Sequence, residues 1–218
     1  MSGAREDILA AIRRAEVAPD GDPAGRLANP QPNLVPARGQ GLPAELLARF
    51  IAEAEAAKAS IARLSGRNEI PAAAEAYLAA NSQPFEIKAA PGLANVPWTK
   101  QSLLTVNFGR AEGSDHVGIS EAFAGIAETG TLMVLSGPDN PASVNFLPDT
   151  HLLVLDASRI VGAYEDGWAL LRREHGKTGF MPRMVNWITG PSRSADIELI
   201  LLLGVHGPRR LHILLIDG

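Results

Sequence analysis

The chain has 218 residues, of which 46% are hydrophobic and 20% charged, and its formal net charge is −4. These values are typical of a folded protein with a sizeable core, and the acidic balance argues against a general binder of nucleic-acid phosphates. Because the chain contains no cysteine, it supplies no disulfide, no thiolate zinc site and no thiolate ligand for an iron–sulfur cluster.

The N-terminal segment is predicted to be a helical arm. Residues 4–17 are charged and amphipathic, which predicts a short helix rather than a secretory signal. Residues 19–43 repeat Pro and Gly, as linkers do. We therefore divide the chain into an arm, residues 1–43, and an α/β domain, residues 44–218. No apolar run is long enough to span a bilayer, so we expect a cytoplasmic protein without a membrane span.

The α/β domain is predicted to start with two helices and to continue with buried strands. Apolar residues recur at helical spacing over residues 44–64 and again over Ile70–Ala80. A further helix is predicted over Tyr164–His175. Four apolar runs are typical of strands buried on both faces: Thr131–Leu135 and residues 152–155, 184–188 and 211–216. This order predicts an α/β fold with a mostly parallel central sheet.

The loop within GIAETGTLMVLSG, residues 125–137, carries candidate chemistry. Gly130 permits a tight turn that would hold Glu128 and Thr129 at the mouth of a strand. A carboxylate in that position could act as a general base or hold a substrate hydroxyl. An ordinary hairpin with a solvated glutamate explains the same residues.

The segment ITGPSRSADIE, residues 188–198, is the second candidate loop. We predict a turn followed by a short helix capped near Ser192, with Asp196 and Glu198 in its first turn. Arg193 beside the free N–H groups of such a helix would suit a carboxylate or a phosphate. Pairing of Arg193 with Asp196 or Glu198 is the alternative explanation.

The segment GVHGPRR, residues 204–210, is predicted to be a turn that places His206 at the end of that short helix. His206 could donate a proton, bind a metal or cap the helix, and no spacing of metal ligands supports the second role. His151 and His212 lie in predicted strands and are interpreted as core or sheet-edge residues. The usual motifs of nucleotide-binding loops and serine hydrolases do not occur in the sequence.

Four segments together resemble one protein family. The quoted loops, together with LPDTHLLVLDASRIV and the end of the chain, GVHGPRRLHILLID, have the order and spacing of the LUD-domain family, most closely its lactate utilization protein C group. The resemblance covers residues 85–218. It implies an α/β fold similar to sugar-phosphate isomerases and CoA transferases. It also implies a role in oxidising L-lactate to pyruvate beside two iron–sulfur partner proteins, and a chain without cysteine fits that division of labour.

The resemblance also implies a set of site residues, carried over position by position. Candidate catalytic residues are Glu128 and His206. Candidate ligand-binding residues are Thr129, Gly130, Thr189, Gly190, Ser192, Arg193, Asp196, Gly207 and Arg209. No metal and no cofactor is expected on this chain. One departure is that many relatives carry a basic residue shortly before Leu-Leu-Pro, whereas residues 142–148, ASVNFLP, contain none. If that residue binds an anion in relatives, either Arg193 or Arg209 replaces it here or the ligand differs.

Three functions are compatible with these patterns. The first is a non-redox subunit of an iron–sulfur, lactate-oxidising complex that binds a small carboxylate or phosphate at the loops of Glu128, Arg193 and His206. Those loops are expected to meet at the carboxyl ends of the strands. The second is a stand-alone isomerase or acyl/CoA transferase that uses Glu128, on fold analogy. The third is an assembly or regulatory protein with a vestigial pocket. Association into a homo-oligomer is left open.

Overall fold

The structure is a computed structural model that describes residues 3–15, 25, 34–176, 181–197 and 200–217. The chain divides into two units, Met1–Leu34 and Val35–Gly218. The first unit contains helix α1, Gly3–Ala15, which confirms the predicted N-terminal helix. The last two residues of that prediction, and residues 19–24 and 26–33 of the predicted linker, lie outside the described residues.

The second unit alternates helices with short strands. The helices among its described residues are α2 (Pro43–Ala56), α3 (Ile70–Ala80), α4 (Ser143–Phe146) and α5 (Tyr164–His175). The strands are β1 (Ser60–Leu64), β2 (Glu86–Ala89), β3 (Thr105–Phe108), β4 (Val117–Glu121), β5 (Ala124–Ile126), β6 (Thr131–Leu135), β7 (Thr150–Asp156), β8 (Ile160–Val161), β9 (Val185–Ile188), β10 (Arg193–Ile197), β11 (Ile200–Leu203) and β12 (Arg210–Ile216). The helices predicted over Ile70–Ala80 and Tyr164–His175 are confirmed.

Six strands form the central sheet in the order β1-β12-β7-β4-β2-β3, and every neighbouring pair is parallel. The predicted α/β fold with a parallel central sheet is confirmed. Along β7, Leu152 and Val154 face a core that includes α3, whereas Leu153 and Leu155 face a core that includes α2 and β6. Because both faces of the sheet are covered here, residues 152–155 of β7 and 213–216 of β12 are continuously apolar instead of alternating.

A second sheet has the order β8-β5-β6-β9, with antiparallel pairing on both sides of β6. Helix α5 covers it, as Leu170 and Leu171 pack against Met133, and the rings of Trp168 and Trp187 meet edge to face. The runs at Thr131–Leu135 and 184–188 therefore form strands as predicted, but they do not belong to the parallel sheet. Apolar composition predicts burial and does not specify which sheet a strand joins.

The helix predicted over residues 44–64 is wrong in its second half. Helix α2 ends at Ala56, and Lys58 takes a left-handed φ of 74° that turns the chain. Residues Ser60–Leu64 then form the edge strand β1, paired in parallel with β12. Ile61 faces the α2 side of the sheet, whereas Leu64 faces the α3 side. A spacing of three residues is compatible with one face of a helix and also with the two faces of a buried strand. Pairing with β12 selects the strand.

The short helix predicted after Ser192 is also wrong. Residues Arg193–Ile197 and Ile200–Leu203 form an antiparallel hairpin, β10–β11, in which Arg193 is paired with Leu203 and Ile197 with Ile200. The argument that a helix N-terminus would attract an anion beside Arg193 therefore does not apply. The run that follows Asp196 is rich in Ile and Leu, and it is used for strand pairing instead of a helix face.

Candidate functional site

A cavity of about 340 Å³ lies beside the amino-terminal ends of β7 and β12. His151 and Leu211, each the second residue of its strand, form part of its wall, and residues 145–146, 187–193 and 206–208 form the rest. Both loops of the predicted TGPSR and VHGP motifs thus line one cavity. The expectation that these loops meet at the carboxyl ends of the central strands is wrong, because the cavity lies at the amino-terminal ends of β7 and β12.

Ser192 holds the two motifs together. Its backbone amide donates to the carbonyl oxygen of Pro208 at 2.8 Å, and its own carbonyl oxygen accepts from the amide of Gly204 at 3.0 Å. The amide of His206 donates to the Ser192 hydroxyl oxygen at 3.4 Å. The serine therefore fixes the turn before β12 against the turn after β9, and the cavity wall is made where these two turns touch.

Gly190 allows the first of these turns to pass close to α2. Its φ is +68°, in the left-handed region, and a Cβ added there would collide with the carbonyl oxygen of Ala57. A side chain at this position would be strained by its backbone and blocked by a neighbouring backbone group. The glycine is thus required for the approach of the TGPSR segment to the end of α2.

The described residues that line the cavity carry positive charge and no carboxylate. Arg193 is an exposed lining residue with no ion pair among the described residues, and His206 is exposed beside it. The alternative pairing of Arg193 with Asp196 or Glu198 cannot be placed, since the side chain of Asp196 and the whole of Glu198 lie outside the described residues. A guanidinium at a cavity whose described lining residues include no carboxylate favours a ligand with a carboxylate or a phosphate.

Glu128 is not among the residues that line this cavity. It lies in the β5–β6 hairpin with only 6% of its surface exposed, and its Oε2 is 3.7 Å from Nε of Arg38. The alternative prediction of an ordinary hairpin is correct for residues 125–131, but Glu128 is buried in it rather than solvated. Gly130 has a φ of +63°, and a Cβ there would collide with the backbone of Ala54, so the predicted tight turn is confirmed.

A chain of hydroxyl groups connects the Glu128 loop to the cavity. The hydroxyl of Thr131 lies 2.7 Å from that of Thr129, 2.9 Å from that of Tyr164 and 2.6 Å from that of Thr189. Thr189 lines the cavity and Thr129 follows Glu128 in sequence. The two predicted loops are therefore joined through one buried threonine, although their charged residues do not share a cavity.

The remaining predicted residues are divided between the cavity and its surroundings. Gly207 is a lining residue. Arg209 is not, and its Nε lies 3.5 Å from a carboxylate oxygen of Asp149. Residues 142–148 are the stretch that lacks the basic residue of many relatives, and two of them, Asn145 and Phe146, line the cavity. Arg193 thus supplies a cation in the cavity that this stretch borders.

Sequence reasoning missed Ser120 and Asn145 at this site and assigned His151 to the core or a sheet edge without a role at the cavity. Ser120, Asn145 and His151 are each buried, and the Ser120 hydroxyl lies 2.8 Å from Asn145 Oδ1 and 2.7 Å from His151 Nε2. Burial lowers the pKa of His151 to about 3, so its ring is neutral near pH 7. The available signal was a histidine and a serine within otherwise apolar buried strands, which demand hydrogen-bond partners.

Comparison with known proteins decides the family. The model of the LUD domain matches residues 47–216. The chain belongs to the LUD-domain family. Every residue named above in the cavity wall lies within the matched part, so the cavity is a feature of the LUD domain of this chain.

Curated relatives match over shorter segments. Lactate utilization protein C of Geobacillus kaustophilus is 37% identical over 95 residues, 44% of this chain and 40% of that protein. Lactate utilization protein C of Bacillus subtilis is 36% identical over 111 residues, 51% of this chain and 46% of that protein. An uncharacterized protein of Neisseria meningitidis is 40% identical over 99 residues, 45% of this chain and 41% of that protein. The chain thus spans less than half the length of these relatives.

A solved structure shares the fold. A DUF162 family protein from Deinococcus radiodurans superposes with a TM-score of 0.58 over 82% of this chain and 100% of its own, at 23% sequence identity. Within the described part of this LUD-domain protein, we find no helix of the length and apolar character that crossing a bilayer requires.

Proposed function

We propose that this LUD-domain protein acts in lactate utilization by binding a small carboxylate in the cavity between its TGPSR and VHGP turns. The observation that supports the proposal is the charge of the wall, which carries Arg193 and no carboxylate among the described lining residues. The names of the curated relatives supply the metabolic context. Lactate, pyruvate and phosphate are the anions to compare.

The size and composition of the cavity fit such a ligand. A volume of about 340 Å³ is at the lower end of the range for small-molecule sites. Apolar atoms of Phe146, Trp187 and Leu211 would exclude water on one side, while Arg193 offers a fork of donors to a carboxylate. Exclusion of water strengthens the attraction between the guanidinium and the anion.

We assign this chain a non-redox part in the reaction. Oxidation of lactate to pyruvate removes two electrons and two protons, so an electron acceptor is required. The chain has no cysteine with which to hold an iron–sulfur cluster. We therefore propose that iron–sulfur lactate-utilization proteins receive the electrons, and that this protein holds or delivers the acid. A stand-alone isomerase or transferase would need Glu128 at the ligand, and Glu128 is paired with Arg38 outside the cavity wall.

Calorimetric titration with L-lactate, pyruvate and phosphate tests the proposal. At least one anion should bind wild type, and Arg193→Ala should weaken that binding by about 10- to 150-fold, because a hydrogen bond to a charged group contributes about 1.5–3 kcal/mol. Arg172→Ala is the matched control, since Arg172 is an exposed arginine on α5 that does not line the cavity. It should bind as wild type does.

Two results would refute the anion site. One is the absence of binding by all three anions, and the other is equal affinity of wild type and Arg193→Ala. Thermal melts of both variants show whether any loss of binding comes from loss of the fold. Co-purification of the chain with iron–sulfur lactate-utilization proteins tests the assignment to a complex separately.

A further inference from the structure

A buried polar network forms part of the cavity floor. It consists of Ser120 on β4, Asn145 on α4 and His151 on β7, which are 0%, 1% and 0% exposed. Asn145 and His151 line the cavity, and Ser120 lies behind them. Polar residues at such depth are retained in a core only where hydrogen bonds compensate for the loss of water.

The hydrogen bonds define where the protons lie. Asn145 Oδ1 can only accept, so the Ser120 hydroxyl donates its proton to it at 2.8 Å. The Ser120 oxygen must then accept from the ring of His151, 2.7 Å away, which places the proton of the neutral ring on Nε2. The other ring nitrogen, Nδ1, is consequently an acceptor with a free lone pair.

Two atoms of this network lack a partner. His151 Nδ1 and Asn145 Nδ2 are both shielded from solvent and have no hydrogen bond among the described residues. Burial alone does not explain this, because the neighbouring His212 is also buried and yet bonds through its Nδ1 to the hydroxyl of Ser60 at 2.8 Å. A free acceptor and a free donor at one cavity floor are the complement of a ligand that carries a donor beside an acceptor.

We propose that His151 and Asn145 recognise the ligand and select a 2-hydroxy carboxylate over a 2-oxo carboxylate. The assignment rests on the proposed function, in which Arg193 binds the carboxylate charge at the same cavity. The hydroxyl of the acid donates to His151 Nδ1, and Asn145 Nδ2 donates to an oxygen of the acid. The floor opens slightly to admit these contacts, since neither atom is accessible to solvent in the structure.

The selectivity follows from the direction of the hydrogen bonds. A 2-oxo acid has only acceptors on its second carbon, so it would leave His151 Nδ1 unpaired and place a keto oxygen against its lone pair. Propionate has no polar group there at all. A site that is built to bond a hydroxyl rejects an analogue without one, because its own buried groups then lose their partner.

The first test is a titration of wild type with L-lactate, pyruvate and propionate. We expect lactate to bind at least about tenfold more tightly than the other two, the effect of one buried hydrogen bond. His151→Leu and Ser120→Ala should abolish or reduce that preference while retaining carboxylate binding at Arg193. The matched controls are His212→Leu and Ser60→Ala, a second histidine–serine pair in which the histidine is buried and the serine exposed, and which does not line the cavity. They should retain the preference.

The second test uses wild-type protein and is independent of whether the variants fold. Nitrogen-15 NMR of the histidine rings should show His151 as the neutral tautomer with the proton on Nε2. Lactate should shift the Nδ1 resonance, and pyruvate should not. Equal affinities for lactate and pyruvate, or an Nδ1 resonance that lactate leaves unchanged, would overturn the selection while leaving anion binding at Arg193 intact. If none of the acids binds, the proposed function itself fails and this inference fails with it.

Discussion

The amide of Ser192 donates a 2.8 Å hydrogen bond to the carbonyl oxygen of Pro208, and this bond joins the two motifs by which the family resemblance is carried. Pro208 follows Ser192 by sixteen positions in sequence, and the β10–β11 hairpin lies between them. Each motif is rich in Gly and Pro because each is a tight turn. Their joint role is to bring Arg193 and His206 to one cavity wall.

Replacement of Gly190 by alanine should destabilise the protein. The left-handed backbone costs a non-glycine residue about 1–3 kcal/mol, and the collision with the carbonyl of Ala57 adds to that cost. Gly137→Ala is the control, because nothing lies within 4 Å of a Cβ added at Gly137. The free energy of unfolding of Gly137→Ala should stay within about 0.5 kcal/mol of that of wild type. Urea denaturation measures both variants, and equal stability of the two would contradict the role given to Gly190.

Thr131→Val should loosen the connection between the two predicted loops. Valine retains the shape of the side chain but removes the hydroxyl that touches those of Thr129, Tyr164 and Thr189. Thr129 and Tyr164 are half-buried and remain bonded to each other at 3.0 Å, whereas the exposed Thr189 loses its contact with Thr131. We therefore expect a loss of about 0.5–1.5 kcal/mol in the free energy of unfolding, the net contribution of one hydrogen bond. Thr105→Val, at an exposed position on the edge strand β3, should have little effect. A Thr131→Val variant as stable as the Thr105→Val control would show that the network adds no stability.

The fold was predictable where local pattern and burial agree. Helix α5 has one apolar face, acidic residues in its first turn and a basic last turn, so its bounds follow from the sequence. Strand β7 is apolar because both faces of its sheet are covered. Strand β1 and the β10–β11 hairpin were not predictable. Their short apolar runs are compatible with a helix and with a strand, and only pairing with another strand selects the strand.

The site was predictable only in part, for a similar reason. The glycines and prolines around Ser192 indicate turns, and Arg193 beside them indicates an anion. The contact of Ser120 with His151 depends on the parallel register of β4 against β7, in which Gly118 is paired with His151. Asn145 reaches the same point from α4. No local pattern encodes a meeting of three residues from three separate elements.

Two truncations should define where the folded unit begins. The division at residues 43 and 44 is still a prediction, but Gly39 is buried and Arg49 donates to the carbonyl oxygens of Arg38 and Gln40 at 2.6 and 3.0 Å. Removal of residues 1–34 should leave the melting transition unchanged. Removal of residues 1–41 should lower the free energy of unfolding by about 1–3 kcal/mol, since Arg49 then loses both carbonyl acceptors and Glu128 loses its ion pair with Arg38. Identical melts of the two truncated proteins would place the boundary after residue 41.

Acid should destabilise the protein well before its carboxylates titrate, because two histidines are buried in the neutral form. Burial lowers the pKa of His151 to about 3 and that of His212 to about 4, whereas an unfolded histidine titrates near 6.5. Between these values the unfolded chain binds protons that the folded chain does not, so stability is lost as the pH falls below about 6.5. Each histidine should contribute roughly 1.4 kcal/mol per pH unit. Urea denaturation between pH 6.5 and 5 should therefore show about half the wild-type slope for His151→Leu, and likewise for His212→Leu. A His151→Leu slope equal to that of wild type would mean that His151 takes up its proton in the folded protein as readily as in the unfolded chain.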